Sequence, residues 1–148
     1  MTLLVRSIGI AGGMLLLAGV QHASAQVIGP VEFTTSFPFT VGNATVPAGR
    51  YTIRPDDDNP AILQLTGTHT LVLFQTENLP LRQRPSKTEV VFKRYGDGYV
   101  LKDIWVEGSD TGAETMPVEG ERHMKKDQGS ESEERVAARK KSDTSKSR

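Results

Sequence analysis

Residues 88–107 read TEVVFKRYGDGYVLKDIWVE, two apolar-rich runs that meet at Gly96-Asp97-Gly98. β-Branched and aromatic residues on both sides of a glycine-aspartate turn mark a β-hairpin. Charge constrains its register. A two-residue Asp97-Gly98 loop sets Lys93 opposite Lys102, a like-charge pair that costs stability. A three-residue Gly96-Asp97-Gly98 loop avoids this, placing Tyr95 opposite Tyr99 and Phe92 opposite Lys102, with Gly98 in the left-handed conformation such loops use. The hairpin then carries three amphipathic aromatics, Tyr95, Tyr99 and Trp105, with Asp97 at its tip. Side chains of this kind stack on sugars or anchor partners, so these four are the candidate binding residues.

Working outward toward the N-terminus, residues 31–41 (VEFTTSFPFTV) alternate with period two. Val31, Phe33, Thr35, Phe37, Phe39 and Val41 fall on one face, as in a half-buried strand. Pro38 lacks a ladder N–H and predicts a sheet edge or an interruption there. Gly42-Asn43 and Pro47-Ala48-Gly49 are turn signals, and Tyr51 and Ile53 then point inward. The acidic stretch 55–60 (PDDDNP) reads as a solvated turn, since Pro60 stands where a calcium loop needs its third ligand. Residues 61–66 and 70–76 form a second hairpin around Gly67-Thr68-His69. The unbroken run Leu71-Val72-Leu73-Phe74 suits a strand covered on both faces. Residues 77–87 form a long connection in which Arg82, Arg84 and Lys87 are cations able to grip an anionic ligand. About six to seven short strands with regular turn signals predict an all-β domain, an antiparallel β-sandwich or small barrel.

The two ends of the 148-residue chain read differently. Arg6 precedes a 13-residue apolar run at positions 8–20, and Ala23-Ser24-Ala25 follows as a small-x-small site. This is the pattern of a signal peptide, residues 1–25, cleaved after Ala25, and the run is too short for a membrane span. It predicts a secreted or periplasmic protein with no transmembrane anchor after cleavage. At the other end, residues 107–148 contain ten acidic, nine basic and only seven apolar residues. So little apolar surface does not offset ordering entropy. The β domain is therefore placed at 26–107, and 108–148 is predicted to be a charged tail, mostly disordered or weakly helical. Ser130-x-x-Glu133 before ERVAARKK is a capping-box pattern for a short helix.

The chain has no cysteine, which excludes disulfides and thiolate metal sites. Removing Arg6 with the signal leaves 17 basic against 18 acidic residues, no footprint for nucleic acid. Nucleophile elbows, zinc-protease helices, phosphate loops and dinucleotide fingerprints are missing. His69 is the one histidine of the β domain and has no partner nearby in sequence. Asp103, between Leu101 and Trp105, is the carboxylate whose position could support chemistry. No cofactor, metal or catalytic residue is assigned. The expected function is that of an exported non-catalytic domain binding an envelope partner or polymer. The alternatives are a small secreted hydrolase using a carboxylate site around Asp103, and a structural envelope protein whose tail docks on a partner.

Two segments, FPFTVGNATVPAGRYTI and VVFKRYGDGYVLKDIW, together resemble a group of small, uncharacterised secreted bacterial β-rich proteins from soil-dwelling lineages. The likeness spans residues 31–106. It implies a compact β domain with a charged C-terminal extension, and carries no activity, cofactor or site residue.

Overall fold

Ten strands and one helix form from residues 28–128 and 131–141, which the computed structural model describes. The expected signal peptide, 1–25, lies outside them. In chain order the strands are β1 (Val31–Thr35), β2 (Phe39–Val41), β3 (Ala44–Val46), β4 (Gly49–Pro55), β5 (Ile62–Thr66), β6 (Leu71–Pro80), β7 (Glu89–Tyr95), β8 (Gly98–Trp105) and β9 (Thr111–Thr115), followed by helix α1 (Glu119–Gln128) and β10 (Glu131–Lys140). Eight of them close a ring in the order β8-β7-β10-β1-β4-β5-β6-β9, with β9 returning to β8 through Asp103↔Glu114 and Ile104↔Ala113. The β2–β3 hairpin adds to the free stretch of β8, where Thr40 pairs with Val100 in parallel. The fold is an antiparallel β-barrel with this appended hairpin.

Period-two alternation builds the core. Val31, Phe33 and Thr35 of β1, Phe39 and Val41 of β2, and Tyr51 and Ile53 of β4 are all buried. Pro38 does interrupt the first long run, splitting it into β1 and β2. Phe33, Phe39, Tyr51 and Phe92 pack with ring centroids 5.0–6.1 Å apart in tilted and edge-on geometries. These separations lie within the favourable range for aromatic pairs. Tyr51 remains satisfied in the core because its hydroxyl donates to the Pro47 carbonyl at 2.6 Å.

The opening hairpin forms, with a different turn. Tyr95 pairs with Gly98 around the two-residue loop Gly96-Asp97, and Gly96, not Gly98, takes positive φ (56°). Positive φ at the first central residue alone is the type II′ pattern, whose twist matches that of paired strands. Arg94 thus faces Tyr99 and Phe92 faces Leu101. A bulge then shifts the register by one, so that Val91 meets Asp103. Lys102 is the extra residue, and the Lys93–Lys102 clash is avoided by the position of the turn, which sets Lys93 opposite Val100. Gly42-Asn43 makes the same kind of turn between β2 and β3, with Gly42 at φ 55°.

Two further expectations are corrected. Leu71 and Leu73 are 67% and 57% exposed, because β6 lines a barrel and only its inner face, with Phe74, meets the core. Among the described residues after Glu107, the chain does not form a disordered or weakly helical tail: β9 and β10 belong to the ring, and residues 134–140 of ERVAARKK lie in strand β10. Its register runs through seven pairs with β7 and three with β1. Backbone pairing and cross-strand ion pairs, Lys93 with Glu131 and Arg139 with Glu32, take the place of apolar burial.

Candidate functional site

The four candidate binding residues do not share one surface. Tyr95 is 1% exposed, covered by α1, and its hydroxyl donates to Glu121 Oε1 at 3.1 Å. Tyr99 is half-buried, stacked on Phe37 at 3.9 Å between centroids, with the Arg94 guanidinium 5.6 Å from its ring. Asp97 alone stays exposed at the hairpin tip. Trp105 lies at the far end of β8, where it enters a different assembly.

That assembly is a groove of about 540 Å³ between residues 81–87, Trp105 and β10. Its wall is built by main-chain bonds. Leu81 N–H donates to Asp110 O, and Gly108 N–H donates to Pro85 O, both at 2.9 Å, so the 81–87 connection is pinned against the β8–β9 loop at two points. Gly108 turns that loop at φ 73°, a conformation glycine adopts without strain. Thr88 then accepts the Glu107 N–H at 3.1 Å, closing the base of the β7–β8 hairpin. The pinned segment presents Arg82, Arg84 and Lys87, and β10 supplies Arg135 from the opposite side.

Charge in the groove is unbalanced. Glu89 is its one carboxylate; it is 5% exposed and pairs with Lys87 at 2.8 Å and Arg135 at 3.8 Å. Among the lining residues four cations stand against one anion, a formal +3, which falls to +2 when Glu133, 3.2 Å from Arg135, is counted with them. Arg82 and Arg84 are exposed and make no ion pair among the described residues. Trp105 forms the floor. The Arg135 guanidinium sits 4.4 Å from its ring centroid, and its indole edge lies so close to Gly112 that a Cβ there would come 3.0 Å from Cδ1. Cation–π contact at this distance fixes Arg135 as well as covering the ring. A bound anion would meet the guanidinium forks of Arg82 and Arg84, the geometry that favours bidentate recognition, whereas Arg135 already faces Glu89 at 3.8 Å and Glu133 at 3.2 Å.

Asp103 is elsewhere, on the outer face beside Glu114, its register partner on β9. Burial, then the Glu114 carboxylate, push its acid up to about 6. Its Oδ1 has no hydrogen-bond partner among the described residues. Glu114 is engaged by Lys102 at 2.6 Å. His69 sits exposed in the β5–β6 turn, and neither it nor Asp103 lines the groove of Arg82 and Arg84. In the acidic turn, Asp56 accepts from Gln64 Nε2 at 2.6 Å and from the N–H groups of Asp58 and Asn59, which holds its carboxyl below the usual range. Among the described residues, no group of three His, Cys, Asp or Glu side chains is placed to hold a metal, and no helix is long and apolar enough to cross a membrane. Sequence reading found three of the four groove cations. Arg135 escaped it because only the barrel closure brings residue 135 to residue 82. No family model, curated protein or solved structure matches the chain.

Proposed function

We propose that this chain is an exported, non-catalytic β-barrel that binds an anionic partner or polymer of the cell envelope in the groove of Arg82, Arg84, Lys87 and Arg135. The observation that carries this reading is the pinned loop holding two arginines that have no carboxylate partner among the described residues, opposite a third that is fixed on Trp105. Leaving such charges concentrated on one rigid wall has a cost in mutual repulsion, which a bound anion relieves. The groove supersedes the Tyr95–Tyr99 end of the hairpin as the binding surface, since Tyr95 is buried. A carboxylate hydrolase built on Asp103 is less favoured, because its neighbour Glu114 is already neutralised by Lys102 and His69 stands apart.

The test is titration of the protein with two soluble polyanions, a uronate polymer and polyphosphate, with neutral dextran as control. Binding of at least one polyanion is expected, weakening with salt as exposed charges are screened. Arg82→Glu with Arg84→Glu should lower that affinity at least tenfold and leave thermal unfolding unchanged. Equal affinity in wild type and double variant, or no preference for polyanion over dextran, overturns the reading.

A further inference from the structure

β10 closes the barrel while contributing almost nothing to its core. Eight of its ten residues are exposed, and only Val136 and Ala138 are half-buried against the apolar cluster. Its neighbours are opposite in character: Val90, Val91 and Phe92 of β7 and Val31 of β1 are fully buried. Seating β10 is therefore a matter of main-chain pairing and of ion pairs, Lys93 with Glu131, Arg135 with Glu89, and Arg139 with Glu32. The arm leading to it is also lightly held. Residues 116–130 separate β9 from β10, and within them α1 rests on the barrel through the Tyr95–Glu121 hydrogen bond and Met124 against Gly98. A ten-residue helix has little stability of its own in water, so an arm released from these contacts extends. Fifteen extended residues reach about 50 Å.

Release of β10 leaves two long open edges, β1 and β7, facing each other. Open edges of apolar strands recruit another strand. The occupant that matches both registers and all three ion pairs is β10 of a second copy. We propose that β10 is an exchangeable strand, and that two copies of this chain associate by each seating its β10 between β1 and β7 of the other. Exchange of an identical element needs no new interface chemistry, since every bond formed already exists within one chain. It would also place Arg135 of one copy in the groove of the other, so that each groove is completed by both chains. Association by exchange stands whether or not the groove binds an anion.

The absence of cysteine makes the test direct. Glu32 and Arg139 are register partners on the outer face, so Glu32→Cys with Arg139→Cys places two thiols across the β1–β10 ladder. Lys93→Cys with Glu133→Cys does the same for β7 and β10 and serves if the first pair fails to fold. Isotope-labelled and unlabelled full chains are mixed at high concentration, incubated, oxidised and digested. Exchange predicts cross-linked 32–139 peptides carrying one labelled and one unlabelled partner, in a share that grows with concentration. Cross-links of uniform label at every concentration, on a chain that runs as a monomer, overturn it.

Discussion

The Tyr95 hydroxyl and the Glu121 carboxylate, both buried, are joined by a 3.1 Å hydrogen bond that ties α1 to the outer face of the β7–β8 hairpin. Tyr95→Phe removes the donor and leaves a buried carboxylate without it, at a cost of about 1.5–3 kcal/mol. The pH dependence has a definite sign. Burial first, and Glu121 second, hold the phenol above its ordinary value. The folded state therefore keeps its proton where the unfolded chain begins to lose one. This contribution is intact below about pH 10 and is lost as pH rises through the elevated folded value. Urea titrations between about pH 8 and pH 11, roughly the range of tyrosine ionisation, should show wild type losing stability more steeply than Tyr95→Phe. Parallel curves of equal height would remove Glu121 from the account.

Asp103 yields a prediction of the same sign, moved into the acid range. Its acid is raised from 3.8 to about 6 by burial and then by Glu114. Between those values the folded protein binds more protons than the unfolded chain, so the contribution is full below the unfolded value and is lost as pH rises through 6. A shift of this size corresponds to about 1–3 kcal/mol after allowance for relaxation around the group. Asp103→Asn should stabilise the barrel at neutral and alkaline pH by about that amount, and the gain should vanish by about pH 4. Glu32, Asp56 and Glu131 are all lowered, and they contribute the other way at still lower pH. The difference between wild type and Asp103→Asn isolates Asp103 from them. A variant less stable than wild type at pH 8 (about two units above the raised value) would show that the carboxylate is paired and not strained.

How much of this was legible in the sequence depends on where burial comes from. Residues 31–41 alternate because each strand has one wet and one dry face, so Phe33, Phe39 and Val41 were readable without coordinates. Gly42-Asn43 was equally plain as a turn. The strand β10 was not, since its partners supply the apolar surface and its own side chains are ions and alanines that score as helix or tail. The same closure hid the groove: Arg82 and Arg84 were visible as loop cations, but their convergence with Arg135 is a property of the ring. The burial of Tyr95 was not legible either, because its cover, Glu121, lies 26 residues away in the segment read as a tail.

Gly67 and Gly49 flank the same aromatic ring and should respond differently to a methyl group. At Gly67 a Cβ would fall 2.7 Å from Tyr51 Cε1 and 2.9 Å from Cδ1, whereas at Gly49 its nearest neighbour is 3.6 Å away. Tyr51 does not move aside freely, being packed between Phe33 and Phe39 with its hydroxyl held by Pro47. Gly67→Ala is expected to cost about 1–3 kcal/mol by overpacking. Gly49→Ala, in ordinary contact and without positive φ, should be within about 0.5 kcal/mol of wild type or slightly stabilising. Paired thermal melts decide this, and equal losses at both sites would mean that backbone strain, not the ring, governs the position.

The outer face of β6 separates a barrel from a layered sandwich. In a layered fold covered on both sides, Leu71 and Leu73 would be core residues, and replacing both with threonine would cost about 2–3 kcal/mol each through lost burial and an added hydroxyl. On the barrel they are 67% and 57% exposed, and the strand pairs that hold β6 use main-chain atoms facing β5 and β9. Threonine supplies the β-branched shape that strands favour. Leu71→Thr with Leu73→Thr should therefore stay within about 1 kcal/mol of wild type in chemical denaturation, while Phe74→Ala on the inner face should lose about 3–5 kcal/mol. A double variant as damaging as Phe74→Ala would place a further layer over β6, and the barrel description of that face would then fail.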